Sequence, residues 1–88
     1  MANYAQMSAT GQVKVGAGKL IGLVISSTST GTLTIYDTKD GDTNDPKIID
    51  TLTPAAGAVY YFGPNGIWFN NGLYCVEANT LVWTVIYE

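Results

Sequence analysis

The chain has 88 residues, enough for one domain with a thin core, and its single cysteine and lack of histidine exclude an intrachain disulfide and a Cys/His zinc site. The net charge is −3, with no arginine and four scattered lysines (Lys14, Lys19, Lys39 and Lys47), which excludes nucleic-acid binding, because that needs clustered cations to displace counterions. Charged residues are only 12% of the chain, about half the usual share, so part of the surface is expected to be covered by a partner, and oligomerisation is the route left to stabilise so small a core.

Residues 1–10 are rich in Ala, Ser, Asn, Gln and Thr and lack periodicity. They read as a flexible N-terminal arm, in which Tyr4 and Met7 would be apolar anchors that order on binding. The segment has no basic region followed by an apolar one, so no signal peptide is expected. No apolar stretch approaches the ~18–20 residues of a membrane span, and a protein made in a cytoplasm that stays soluble is the expectation.

Residues 11–88 read as one β-domain. Residues 12–15 form a short strand ended by Gly16-Ala17-Gly18. A long strand spans 19–27, Ser29-Thr30-Gly31 is expected to turn the chain, and 32–37 is the next strand, with Leu33 and Ile35 on one face and Thr32, Thr34 and Tyr36 on the other. A polar loop over 38–46 leads to a strand at 47–53, ended by Pro54-Ala55-Ala56-Gly57. The aromatic-rich strand 58–62 is closed by Gly63-Pro64-Asn65-Gly66, and the short strand 67–70 is followed by Asn71-Gly72, a favoured hairpin pair. Strands at 73–78 and 80–87 finish the chain and meet near Asn79. In the last one Leu81, Trp83, Val85 and Tyr87 share a face, with Val82, Thr84 and Ile86 opposite. Both faces are largely apolar, as suits a central or covered strand. Eight short strands with frequent turns, and no helical period, predict an all-β fold: a small antiparallel β-sandwich or jelly-roll barrel.

Little in the sequence carries chemistry. All five aspartates fall within residues 37–50, and Asp40, Asp42 and Asn44 alternate as calcium ligands sometimes do. The spacing fails the EF-hand pattern, with Asp45 where its glycine belongs and Thr51 where its glutamate belongs. A solvated turn explains the cluster, and no second acidic group faces it for glycoside hydrolysis. Cys75 and the serines lack a histidine base, and Gly16-Ala17-Gly18 lacks the lysine and helix of a phosphate loop. No catalytic residue, metal site or cofactor is expected, and the protein reads as a non-enzyme. The aromatics are the richer set. About half are expected in the core, and the outward half in a subunit contact rather than a sugar-stacking surface. The candidate interface residues are Tyr4, Met7, Tyr60, Phe62, Trp68, Phe69, Trp83 and Tyr87.

The order of pieces carries a resemblance. It runs from Gly11-Gln12-Val13-Lys14 through Gly18-Lys19-Leu20-Ile21-Gly22, the Ser/Thr run to Gly31, and Leu33-Thr34-Ile35-Tyr36-Asp37. It continues with Ile49-Asp50-Thr51-Leu52-Thr53-Pro54-Ala55-Ala56-Gly57, Tyr60-Tyr61-Phe62, Phe69-Asn70-Asn71-Gly72-Leu73-Tyr74 and Thr84-Val85-Ile86-Tyr87. Over residues 11–88 this resembles the short β-sandwich proteins encoded among the structural genes of tailed bacteriophages. The resemblance implies a virion component, such as a decoration or cement protein that binds the major capsid protein on the head surface as a homotrimer. The alternative it implies is a tail or head-fibre subunit that binds host glycans. It assigns no functional residues.

Overall fold

The computed structural model describes residues 3–88. It is all-β: β1 (Asn3–Met7), β2 (Gly11–Val15), β3 (Gly18–Tyr36), β4 (Lys47–Leu52), β5 (Val59–Tyr61), β6 (Ile67–Phe69) and β7 (Gly72–Tyr87). They form one open, seven-stranded antiparallel sheet. Its spine is the pair β3–β7, in register from Leu20 opposite Tyr87 to Tyr36 opposite Tyr74. Eight of the 19 residues of β3 are β-branched, the side chains that fit a pleated surface best.

Each long strand serves two different sets of neighbours. At one end of the spine, β1 pairs with residues 83–87 of β7, while β5 and β6 pair with residues 18–24 of β3. At the other end, β2 pairs with residues 72–75 of β7, and β4 with residues 33–36 of β3. Between the two ends the spine bends. The register shifts twice, between Ile25 and Ser27 and between Ser29 and Thr30, and extra residues of this kind bend and twist a strand. Thr30 (φ 53°) and Asn79 (φ 62°) are both left-handed, and the Asn79 side chain donates a 2.8 Å hydrogen bond to the Thr30 carbonyl across the bend. Gly31 packs so tightly there that a Cβ would lie 2.5 Å from the Thr80 carbonyl oxygen.

The bend folds the sheet into a small sandwich with one core. Leu20, Leu23 and Ile25 from the first half of β3 cluster with Leu33 and Ile35 from its second half. Leu73 and Cys75 join Leu81, Trp83 and Val85 from the two halves of β7, and Phe69 completes the cluster. All of these are at most 1% exposed.

Three sequence expectations need correction. Ser29-Thr30-Gly31 does not reverse the chain, and Asn79 does not separate two strands. The turn chemistry is real, but these residues face each other in register, so both strands bend together and remain continuous. Nor are residues 3–7 a free arm. They form β1, in which Tyr4 and Gln6 face outward while Met7 packs against the core. Met1 and Ala2, also assigned to that arm, lie outside the described residues. Two fusions and one addition turn the eight expected strands into seven.

Candidate interaction surface

The register of the first half-sheet arranges its outward side chains in rows. Tyr61, Gly22, Ile86 and Tyr4 form one row across β5, β3, β7 and β1. Val59, Val24, Thr84 and Gln6 form the next, and Val82 lies beyond it. At the far end Trp68 pairs with Lys19, whose ammonium sits 4.7 Å from the Trp68 ring centre. Lys19 also exchanges two 2.9 Å backbone hydrogen bonds with Glu88. The prominent members are open to solvent: Tyr4 is 76% exposed, Tyr61 and Val59 68%, and Trp68 67%. Gly22 is tied to close approach, since a Cβ there would lie 2.7 Å from the Tyr60 carbonyl oxygen.

The expected interface residues divide three ways. Tyr4 and Trp68 stand on this outer face. Met7, Tyr60, Phe62 and Tyr87 are half-buried and pack against the core, and Phe69 and Trp83 are fully buried within it. Core packing therefore claims Phe69 and Trp83, which have no surface to offer a partner. The sequence reading passed over Val59 and Tyr61. The run 59–62 is apolar at every position, so its composition does not say which parity faces out, and a one-residue shift exchanges the two faces. Pairing of Tyr60 with buried Leu23 decides it.

The acidic segment separates into a structural clamp and a turn. Asp37 accepts three backbone N–H bonds from the β6–β7 turn, from Asn70 (3.0 Å), Asn71 (2.7 Å) and Gly72 (3.2 Å). Burial pushes its carboxyl upward, but these three donors outweigh burial and hold Asp37 below the usual carboxylate range. Beside it, the side-chain amide nitrogen of Gln12 reaches the carbonyls of Lys14 (2.7 Å), Thr38 (2.7 Å) and Leu73 (3.1 Å), sharing two N–H groups among three acceptors. Together they tie β2, β7 and the β3–β4 loop at the end of the molecule away from the bend.

Within the loop, buried Thr38 donates to Asp40 Oδ1 (2.9 Å), which also accepts from the Asp42 N–H (3.2 Å). Asp42 Oδ1 accepts from the Asn44 N–H (2.9 Å). The carboxylates of Asp40, Asp42 and Asp45 offer oxygens within 4.8 Å of one another, and they are the residues that could hold a cation. Local turn bonds of this kind suffice to explain the composition of the loop. Cys75 is buried, and desolvation pushes its thiol up to about 12, offset only in part by the neighbouring Trp83 indole N–H. No pocket opens among the described residues, and the feature they offer a partner is the broad aromatic face.

No known protein family matches the chain, and no curated protein or solved structure is significantly similar to it. The likeness to phage sandwich proteins rests on the sequence motifs alone.

Proposed function

We propose that the protein is a non-enzymatic virion structural protein, a decoration or cement protein that binds a tailed-phage head as a homotrimer and stabilises it. The observation that carries this reading is the outer face of the first half-sheet, where Tyr4, Val59, Tyr61 and Trp68 stand exposed on a nearly uncharged surface. Large exposed apolar patches mark interaction sites. The motifs spread over residues 11–88 supply the phage context. The mechanism is mechanical: many modest contacts repeated over a symmetric shell sum to strong attachment through avidity.

The test is to add purified protein to undecorated heads assembled from the major capsid protein encoded with it. Saturable binding at symmetric positions, with a raised temperature of head disruption, is the expected result. Heads that neither bind the protein nor gain stability would refute the reading. The solvent-facing rings favour one second reading, a tail or head-fibre subunit that stacks host glycans. Saturable binding of oligosaccharides without binding to heads would establish it instead.

A further inference from the structure

We infer that the outer face of β1, β7, β3, β5 and β6 is a self-interface, on which copies of this chain pack around a three-fold axis. The inference deepens the structural reading above and rests on it. The first support is the double-sided apolar character of the strands that build the face. Residues 20–25 of β3 read Leu-Ile-Gly-Leu-Val-Ile, and the core takes Leu20, Leu23 and Ile25 while Gly22 and Val24 stand on the outer face. Strands apolar on both sides belong to sheets covered on both sides.

The second support is charge. The chain carries −3 overall, and five of its seven acids lie within residues 37–50, outside this face. The charges on the face itself, Lys19 and Glu88, have opposite signs and stand side by side. Copies that meet here bring no block of like charge together, whereas contacts through the acidic loop would.

The third support is area. Tyr4, Tyr61 and Trp68 at the exposures given, with Val59 and the half-buried Val24, Val82 and Ile86, leave about 600–700 Å² of side-chain surface open per copy. Covering it on two copies removes about 1,200–1,400 Å² from water, above the ~1,000 Å² that a specific interface needs.

The fourth support is width. Four strands at about 4.8 Å spacing place the outer strand axes about 14 Å apart. Three such faces set as the sides of a triangular prism, with one strand spacing left between neighbouring copies at each corner, stand about 7 Å from its axis, a depth that tyrosine and tryptophan side chains span. Side chains one layer deep from each copy then fill the centre, and the closed cyclic arrangement leaves no copy of the face unpaired.

The experiment is sedimentation equilibrium of the isolated full chain from 1 to 100 µM, with Tyr61→Asp, the milder pair Val59→Thr with Tyr61→Thr, and Val15→Asp as a control. Val15 is equally exposed but lies on β2, off the face. The wild type is expected at three times the 9.4 kDa chain mass, and so is Val15→Asp. Tyr61→Asp is expected as a monomer with an unchanged far-UV circular dichroism spectrum. The threonine pair, which places β-branched side chains suited to a strand at both positions, should dissociate at least 100-fold more readily. A wild type with the mass of one or two chains overturns the inference, as does a folded face variant that assembles like the wild type. A monomer whose Trp68 fluorescence titrates with an oligosaccharide overturns it too. Heads are absent from this experiment. A trimer that ignores heads refutes the virion reading alone, and a monomer that binds them refutes the interface alone.

Discussion

Along residues 32–36 of β3, Thr32, Thr34 and Tyr36 alternate with fully buried Leu33 and Ile35. Along residues 20–25 of the same strand no polar side chain intervenes. The second half of the sheet has an outer face that water suits: Thr34 bonds to Thr51, Lys47 pairs with Asp50 at 3.2 Å, and Tyr36 lies under the Lys47 ammonium. The first half presents Tyr4, Val59, Tyr61, Trp68 and Ile86. Both halves share one core and the same two central strands. The outer face of a strand is thus free to change character midway while its inner face stays constant, because the bend gives each half its own flanking strands and one set of buried partners.

The sharpest way to break this comparison is to damage the core under one half and ask whether the other half feels it. Trp83 is fully buried and lies opposite Ile25 in the first half-sheet. Trp83→Ala is expected to cost about 3–5 kcal/mol, as large-to-small changes of aromatic residues in cores do. Urea unfolding followed by far-UV circular dichroism and by tyrosine absorbance should still give one coincident transition. Two separated transitions would show that the halves are independent units joined by the spine.

A smaller loss is expected where the halves are tied at the end away from the bend. Asp37→Ala removes three charge-assisted bonds to the β6–β7 turn and should cost about 1–3 kcal/mol at neutral pH. Because the folded carboxyl titrates below its unfolded value of about 3.9, its contribution is fully present above that value and is lost as the pH falls through the folded one. Urea midpoints of wild type and variant should therefore converge below about pH 4. A constant gap down to pH 2 would show that packing, not charge, accounts for the loss.

The smallest effect belongs to the bend. A β-branched residue held left-handed, as Thr30 is, carries a strain of roughly 1–2 kcal/mol, and glycine gives back part of the gain through its freer unfolded chain. Thr30→Gly should raise stability by about 0.5–1 kcal/mol, read as a higher melting temperature. A lower melting temperature would mean that the hydroxyl bond to the Ser29 carbonyl outweighs the strain.

Strand positions were legible in the sequence because alternation and turn residues agree along most of the chain. The connections between strands were not. Ser29-Thr30-Gly31 and Asn79 have the local chemistry of a reversal, and only their position opposite one another, about fifty residues apart, converts two reversals into one shared bend. The strand 3–7 was hidden for a related reason: Asn-Tyr-Ala-Gln-Met has little pattern of its own and becomes a strand only against residues 83–87. Of the candidate surface, Tyr4 and Trp68 were legible as outward aromatics, while Tyr61 and Val59 depended on a parity that only pairing with β3 sets. Asp37 was grouped with its acidic neighbours, although its partners lie 33 to 35 residues away.

The core's one sulfur has a kinetic consequence. Cys75 is fully buried, and desolvation pushes its thiol up to about 12, so in native buffer it stays in the unreactive protonated form. Residue 75 pairs with β2 on one side and with Ile35 of β3 on the other. A maleimide can therefore mark this chain only while the sandwich is open, and the marking rate in native buffer becomes a clock for that opening. Where reclosing is faster than modification, the rate divided by that of an unfolded thiol gives the fraction of time in which the packing around Cys75 is open.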